Sequence, residues 1–175
     1  MAGKRLGIGV IGAGREFGAK VITADYHDLI ERDDIAIIDV VTRDSEHFEI
    51  NMAALAAGKH VLSEKPVAHD FRDVRCAAGL AAANGLKTKV GLTFRYSPAF
   101  GEVEVPQSYY PPGGSPRESW RTLYYANLVA NFASEVLGEI EGNEGNFDDG
   151  LWVQEVVNAV EISHHERRWV SLPLD

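Results

Sequence analysis

The sequence predicts an α/β fold, a parallel sheet with helices packed on it, from three observations. Short apolar runs such as IAIIDVV (35–41) have the continuous hydrophobic character of strands covered on both faces. Helical stretches between such runs are closed by glycine, Gly58 in one case and Gly85 in the next. Strand, helix, strand, helix, strand then repeats at the pitch of right-handed βαβ units.

The first strand is LGIGVI (6–11), ended by Gly12 and Gly14. Two readings remain open after it. Residues 20–23, KVIT, are β-branched and suit a short strand, followed by a helix over 25–32 with Asp25 as N-cap. Alternatively a single helix runs over 16–32, at a cost of ~2 kcal/mol in propensity for Gly18, Val21, Ile22 and Thr23. A strand over 35–41 follows, then the helix SEHFEINMAALAAG, capped by Asp44 or Ser45, with Phe48, Met52 and Leu55 on one face. HVLS (60–63) is a strand, EKP (64–66) a loop, 70–85 a helix and 87–93 another strand.

SPAFGEVEVPQSYYPPGGSP (97–116) breaks the pattern, because paired prolines and glycines fit no regular element. The chain accordingly divides into residues 1–97, a linker over 98–115, and a helical part over 116–175. Ser115, Pro116 and Glu118 make a capping box that opens a helix with the row Tyr124, Leu128, Phe132 and Val136, closed by Gly138. Asn146 caps a last helix carrying Val153, Val156, Val157 and Val160, and RWVSLPL reads as a short terminal strand.

Composition narrows the function. Of 175 residues, 45% are apolar and 25% charged, the balance of a folded globular chain. A formal net charge of −9 without a basic stripe excludes nucleic acid and anionic membrane as partners. No window approaches the length of a membrane span, and the glycine-rich run after Lys4 and Arg5 is a strand rather than a signal peptide, so the expectation is a soluble cytoplasmic protein. The lone Cys76 reads as a small buried apolar residue, and no cysteine or histidine spacing suggests a metal. His164 and His165 belong to a solvated face, and His27, His60 and His69 to a helix surface, a strand end and a loop.

The glycines after the first strand carry the chemistry. In a dinucleotide site the first glycine makes the tight turn, the second admits the pyrophosphate, and the third packs helix on strand. Gly12 and Gly14 are correctly spaced, but Phe17 takes the third position and Gly18 comes one residue late. The acid that holds the ribose about 20 residues further on is missing, Asp25 being too near.

Taken together, GVIGAG (9–14), DVVTRDSEHFE (39–49), AALAAGKHVLSEKPVA (53–68), GLTFRYSPA (91–99) and the closing FDDGLWVQEVVNAVEISHHERRWVSLPL resemble the Gfo/Idh/MocA oxidoreductases. The resemblance implies a reduced Rossmann-like sheet that binds NAD or NADP, with hydride transfer on a sugar, inositol or related polyol. Lys65 would be the catalytic residue beside the nicotinamide, flanked by Glu64 and Pro66. Thr42, Asp44 and His47 would fall where the family's loop after its fourth strand approaches the cofactor, and Gly12 and Gly14 on its phosphate loop. Two pieces of the family architecture are absent: a βαβ unit of about 30 residues after Arg15, and most of the substrate-domain sheet between Ala99 and Ser115. The family's aspartate and histidine pair has no counterpart. A catalytically inactive remnant that binds nucleotide weakly or serves as an interaction module, or an incomplete gene product, are the alternatives. Loss of the large sheet leaves Phe94, Tyr96, Tyr109, Tyr110 and Trp120 to be covered by the linker or by a homo-oligomer.

Overall fold

In the computed structural model, which describes residues 6–12, 20–93, 120–142 and 144–175 (backbone alone for 120–123), four strands make one parallel sheet. They are β1 (Ile8–Ile11), β2 (Ile37–Val40), β3 (His60–Ser63) and β4 (Thr88–Val90), side by side in sequence order. Ile8 pairs with Ile37, Ile37 with His60, and Val61 with Thr88, which brings the C-terminal ends of the strands to one edge. The connections contain α1 (His27–Ile30), α2 (Asp44–Ala56) and α3 (Phe71–Ala83); α4 (Trp120–Leu137) and α5 (Phe147–Glu166) follow the sheet. Among the described residues no helix is long and apolar enough to cross a membrane.

Every residue of β2 is buried, and its side chains divide between two cores. Ile38 and Val40 join Val61, Val74, Ala77 and Leu55 under α2 and α3. Ile37 joins Leu62, Leu128 and Phe132 under α4, where each fully buried large side chain contributes about 1.5–3 kcal/mol. The expected α4 row is therefore half right: Leu128 and Phe132 are at its centre, Val136 packs at its margin, and Tyr125 takes the polar end of the seam. Local signals set the helix ends. Asp70 accepts the Arg72 N–H at 2.8 Å to open α3, and Asn146 accepts the Asp149 N–H at 3.0 Å to open α5. No side chain caps α2, and Asp44 accepts the N–H of Ser45 instead.

Four expectations are corrected. Residues 20–23 form neither strand nor helix, because Val21 and Ile22 are exposed with no strand beside them and the Thr23 hydroxyl takes the Asp25 N–H. The helix that follows is a single turn, α1, with Asp25 accepting the His27 N–H at 3.0 Å. The segment 168–174 pairs with no strand; Val170 and Leu174 pack beside Phe71 and Ala159. Cys76 is exposed, since Phe71, Val74, Ala77, Ala78 and Ala81 set the inward face of α3 and leave it outside. Gly14, the linker, the capping box and the aromatic residues Phe94, Tyr96, Tyr109 and Tyr110 lie outside the described residues, as does the side chain of Trp120.

The face under α4 also buries charge. Asp39, Leu62 and Lys89 share one register row across β2, β3 and β4. The Tyr125 hydroxyl donates to Asp39 Oδ2 at 2.6 Å, while Asp39 Oδ1 has no partner among the described residues. Burial pushes the Asp39 carboxyl up to about 6 against the opposing pull of the Tyr125 hydrogen bond, with the charge of Glu64 adding to the rise. Burial, then the charge of Asp39, also raises the Tyr125 phenol above its ordinary range. The neutral acid is thus favoured in the folded chain. Its contribution is complete below the unfolded value of 3.8 and is lost as pH rises through about 6. Relative to Asp39→Asn, the wild type is expected to lose on the order of 2–3 kcal/mol of stability between pH 4 and pH 7. Urea unfolding of both chains at several pH values checks this, and parallel stability profiles would contradict it.

Candidate active site at the C-terminal edge of the sheet

The end of β1 turns at Gly12, which has φ 99°. A Cβ there would stand 2.6 Å from the Val41 carbonyl oxygen and 2.7 Å from the Thr42 nitrogen, so the turn is pressed directly on the end of β2. Only glycine meets both conditions. The Val41 N–H donates to the Ile11 carbonyl at 2.8 Å and extends the pairing of the two strands past β2.

The EKP loop leaves β3 on the same edge. The Glu64 N–H donates to the Val40 carbonyl at 2.9 Å, and the Gly91 N–H to the Ser63 carbonyl at 2.8 Å, so the loop is tied to both neighbouring strands. Glu64 lies against Gly91, whose added Cβ would come 3.0 Å from the carboxylate carbon. The Lys65 N–H donates to Glu64 Oε2 at 3.2 Å, the Lys65–Pro66 peptide is cis, and the Lys65 side chain is exposed.

His47 is buried under this loop. Its Nδ1 lies 2.7 Å from the Pro66 carbonyl oxygen and its Nε2 3.1 Å from that of Thr42. A neutral ring donates to one of these and a protonated ring to both. Either way His47 joins the β2 exit to the EKP loop. One turn later on α2, buried Asn51 donates to Ser63 Oγ at 3.0 Å and to the Val67 carbonyl at 3.3 Å, and Ser63 Oγ donates to the Glu64 carbonyl at 3.0 Å. Asp44, at the start of α2, is exposed, with an oxygen 3.5 Å from His69 Nε2.

A cleft of about 420 Å³ opens beside Gly12. Ile11, Thr42, Tyr26, Leu29 and Ile50 wall it, and Glu46 and Glu49 bring carboxylates to it. Glu46 pairs with Arg43 at 2.7 Å. The Tyr26 phenol is raised by its burial and by the charge of Glu49.

Gly12, Thr42, Asp44, His47, Glu64, Lys65 and Pro66 thus lie on one edge of the sheet. Sequence reasoning missed Asn51, Ser63, Tyr26, Glu46 and Glu49. Asn51 was within reach, because it stands four residues after His47 and both fall on the inward face of α2.

Residues 12–92 match the profile of the oxidoreductase family with an NAD-binding Rossmann fold, the Gfo/Idh/MocA family. The chain is 30% identical over 120 residues to the levoglucosan dehydrogenase of Pseudarthrobacter phenanthrenivorans, a match covering 68% of this chain and 30% of that protein. It is also 30% identical over 81 residues to the inositol 2-dehydrogenase of Salmonella typhimurium, covering 46% of this chain and 24% of that one. It therefore spans under a third of either relative's length. Among solved structures, the apo scyllo-inositol dehydrogenase of Lactobacillus casei shares the fold at a TM-score of 0.51 and 24% identity, over 57% of this chain and 40% of that one. Over residues 12–92, which hold β2 to β4, the chain thus matches the Gfo/Idh/MocA family of oxidoreductases.

Proposed function

We propose that this chain is an NAD-dependent oxidoreductase for a sugar, inositol or related polyol, with the dinucleotide laid across the C-terminal edge of the sheet and Lys65 as its catalytic residue. The observation that carries the reading is the convergence of Gly12, Thr42 and the Glu64 to Pro66 loop on one edge, beside a cleft of ligand size. Relatives named for levoglucosan and inositol support the substrate class.

The residues suit the cofactor. The cleft receives the adenosine half, with Tyr26, Leu29 and Ile50 as apolar walls and Glu46 and Glu49 as acceptors for ribose hydroxyls. Gly12 lets the backbone approach the phosphates. A nicotinamide held on this edge would supply the hydride acceptor for the alcohol carbon. Lys65, exposed at this edge, is the group assigned to hold the substrate oxygen and take up its proton. His47 and Asn51 position the loop that carries Lys65, through the carbonyls of Pro66 and Val67. In this reading residues 1–97 are the nucleotide-binding part and 116–175 a helical remnant of the substrate domain.

The carboxylates in the cleft also set a preference. A 2′-phosphate would meet Glu46 and Glu49, and like charges repel. NAD is expected to bind about tenfold tighter than NADP, a difference of about 1.4 kcal/mol, with a dissociation constant in the high micromolar range. Titration by calorimetry checks both, and Glu46→Gln with Glu49→Gln is expected to narrow the gap. Equal affinity for the two nucleotides would contradict the assignment.

One observation favours a second reading, a catalytically inactive remnant that binds nucleotide weakly. Among the described residues no strand lies between β1 and β2 in the sequence, and such a strand would bear the ribose acid. NAD binding without NADH production across a polyol panel would establish that reading instead.

A further inference from the structure

The outward face of α5 is apolar, while its inward face mixes Phe147, Leu151, Ala159 and Ile162 with buried polar groups, so both faces of the helix carry apolar side chains. Toward α3, Gln154 donates to the His69 carbonyl at 2.6 Å, Asn158 accepts the Phe71 N–H at 2.9 Å, and Glu155 pairs with Arg75 at 2.8 Å. These polar contacts flank the small apolar cluster of Phe71, Ala159 and Leu174. On the outer side Trp152, Val153, Val156, Val157 and Val160 are 60%, 58%, 49%, 45% and 64% exposed. Residues 152, 156 and 160 form one row and 153 and 157 the row beside it, so the five make a continuous stripe.

We propose that this stripe is the contact surface of a symmetric dimer, with α5 of a second copy of this chain lying antiparallel upon it. The charges of the helix specify that occupant and that direction. The first turn carries Asp148 and Asp149; the last carries His164 and His165, with Arg167 and Arg168 just beyond. Arg168 pairs with Glu166, and Arg167 stands just past the helix end as a cation opposite in sign to the acidic first turn. A two-fold axis through the stripe brings the acidic first turn of each helix toward Arg167 of the other, whereas a parallel pair would set the two acidic turns against each other. The stripe also fits itself, because Val156 at its middle meets its own copy and Trp152 falls against the Val160 region. Apolar patches of this kind measure about 300–600 Å². Two of them bury on the order of 1,000 Å², the lower bound for a specific interface, so a micromolar dimer is expected.

Sedimentation equilibrium of the full chain at about 0.15 M salt, where repulsion between two copies of net charge −9 is largely screened, tests this directly. The expected result is a mass that rises from one chain to two over roughly 1–200 µM protein. Val156→Glu is expected to stay monomeric at the top of that range with an unchanged circular dichroism spectrum and unfolding midpoint, since the position is half exposed. Asp148→Lys is expected to weaken association at least tenfold, and Asp148→Lys combined with Arg167→Glu in one chain to restore it, which a parallel arrangement would not do. A wild type monomeric throughout overturns the proposal, including one with Trp152 shielded from a quencher, because the chain itself would then cover the stripe. A Val156→Glu dimer as tight as the wild type overturns it equally.

Discussion

Replacing Lys89 with methionine is expected to lower the unfolding free energy by about 3–5 kcal/mol, a large part of the 5–15 kcal/mol typical of a domain. Lys89 is only 1% exposed, and its partner Glu135 only 3%. The ammonium lies 2.5 Å from Glu135 Oε1, donates to the Glu144 carbonyl at 2.8 Å, and stands 6.0 Å from the centre of the Phe132 ring. Glu135 Oε2 has no hydrogen-bond partner among the described residues. Methionine fills most of the space of the lysine stem, so the loss comes from the carboxylate left alone in an apolar seam rather than from a cavity. The control is Lys89→Met with Glu135→Leu, which removes both charges and is expected to recover most of the loss or exceed the wild type. Denaturant unfolding of the four chains of this cycle measures the coupling between the two residues. A single-variant loss below about 1 kcal/mol would mean that the pair behaves as a solvated surface pair.

The sequence made the repeating half of the fold legible because periodicity and end signals agree there. HVLS became β3 without adjustment, and Asp70 and Gly85 bracket α3 as a cap and a stop should. Buried charge left no such trace. Lys89 sits in KTKVGLT, where alternation assigns it a face but nothing tells that α4 will cover that face and bring Glu135 to it. The pairing is separated by 46 residues and depends on tertiary packing alone. α5 misleads in the opposite sense. Its valines suggest an inward face, yet Gln154, Glu155 and Ala159 are the buried ones, because the His69 carbonyl, the Phe71 N–H and Arg75 offer polar partners on the surface it meets. For KVIT, β propensity had no neighbouring strand to act on, and Thr23 and Asp25 instead closed a local turn.

At the site, sequence pattern supplied the residues on the edge but not the parts that hold them. Gly12 was found as a turn glycine, and the structure adds why it cannot be replaced, since Val41 lies within 2.6 Å of any Cβ. Lys65 was found through its EKP setting. The supports are His47, Asn51 and Ser63, whose hydrogen bonds run to backbone carbonyls and to each other across β2, β3 and α2. Such bonds are set by geometry, and a sequence records only that polar residues stand at inward positions of a helix.

Lys65→Ala is expected to reduce NADH production from a polyol by about 10²–10⁴-fold, the range general acid and base groups contribute, while leaving the NAD dissociation constant within about twofold. The split follows from position. Lys65 is exposed beyond the end of β3, whereas the cleft proposed for the adenosine half is lined by β1, the residues before α1, and α2. In the proposed function, removing the ammonium takes away the group assigned to the substrate oxygen and its proton, without touching Gly12, Thr42 or Tyr26. Lys65→Arg keeps the charge but cannot give up a proton at working pH, so it is expected to bind substrate and still fail in turnover. Wild-type turnover itself is expected well below the ordinary enzyme range of about 1 s⁻¹, because the described residues leave the ammonium in water with no wall to hold the substrate carbon in place. The measurement is NADH formation by absorbance over a panel of inositols and simple sugars, with calorimetry of NAD on each variant. Equal rates for the wild type and Lys65→Ala would remove Lys65 from the chemistry, and a parallel loss of NAD affinity would make it a cofactor-binding residue instead.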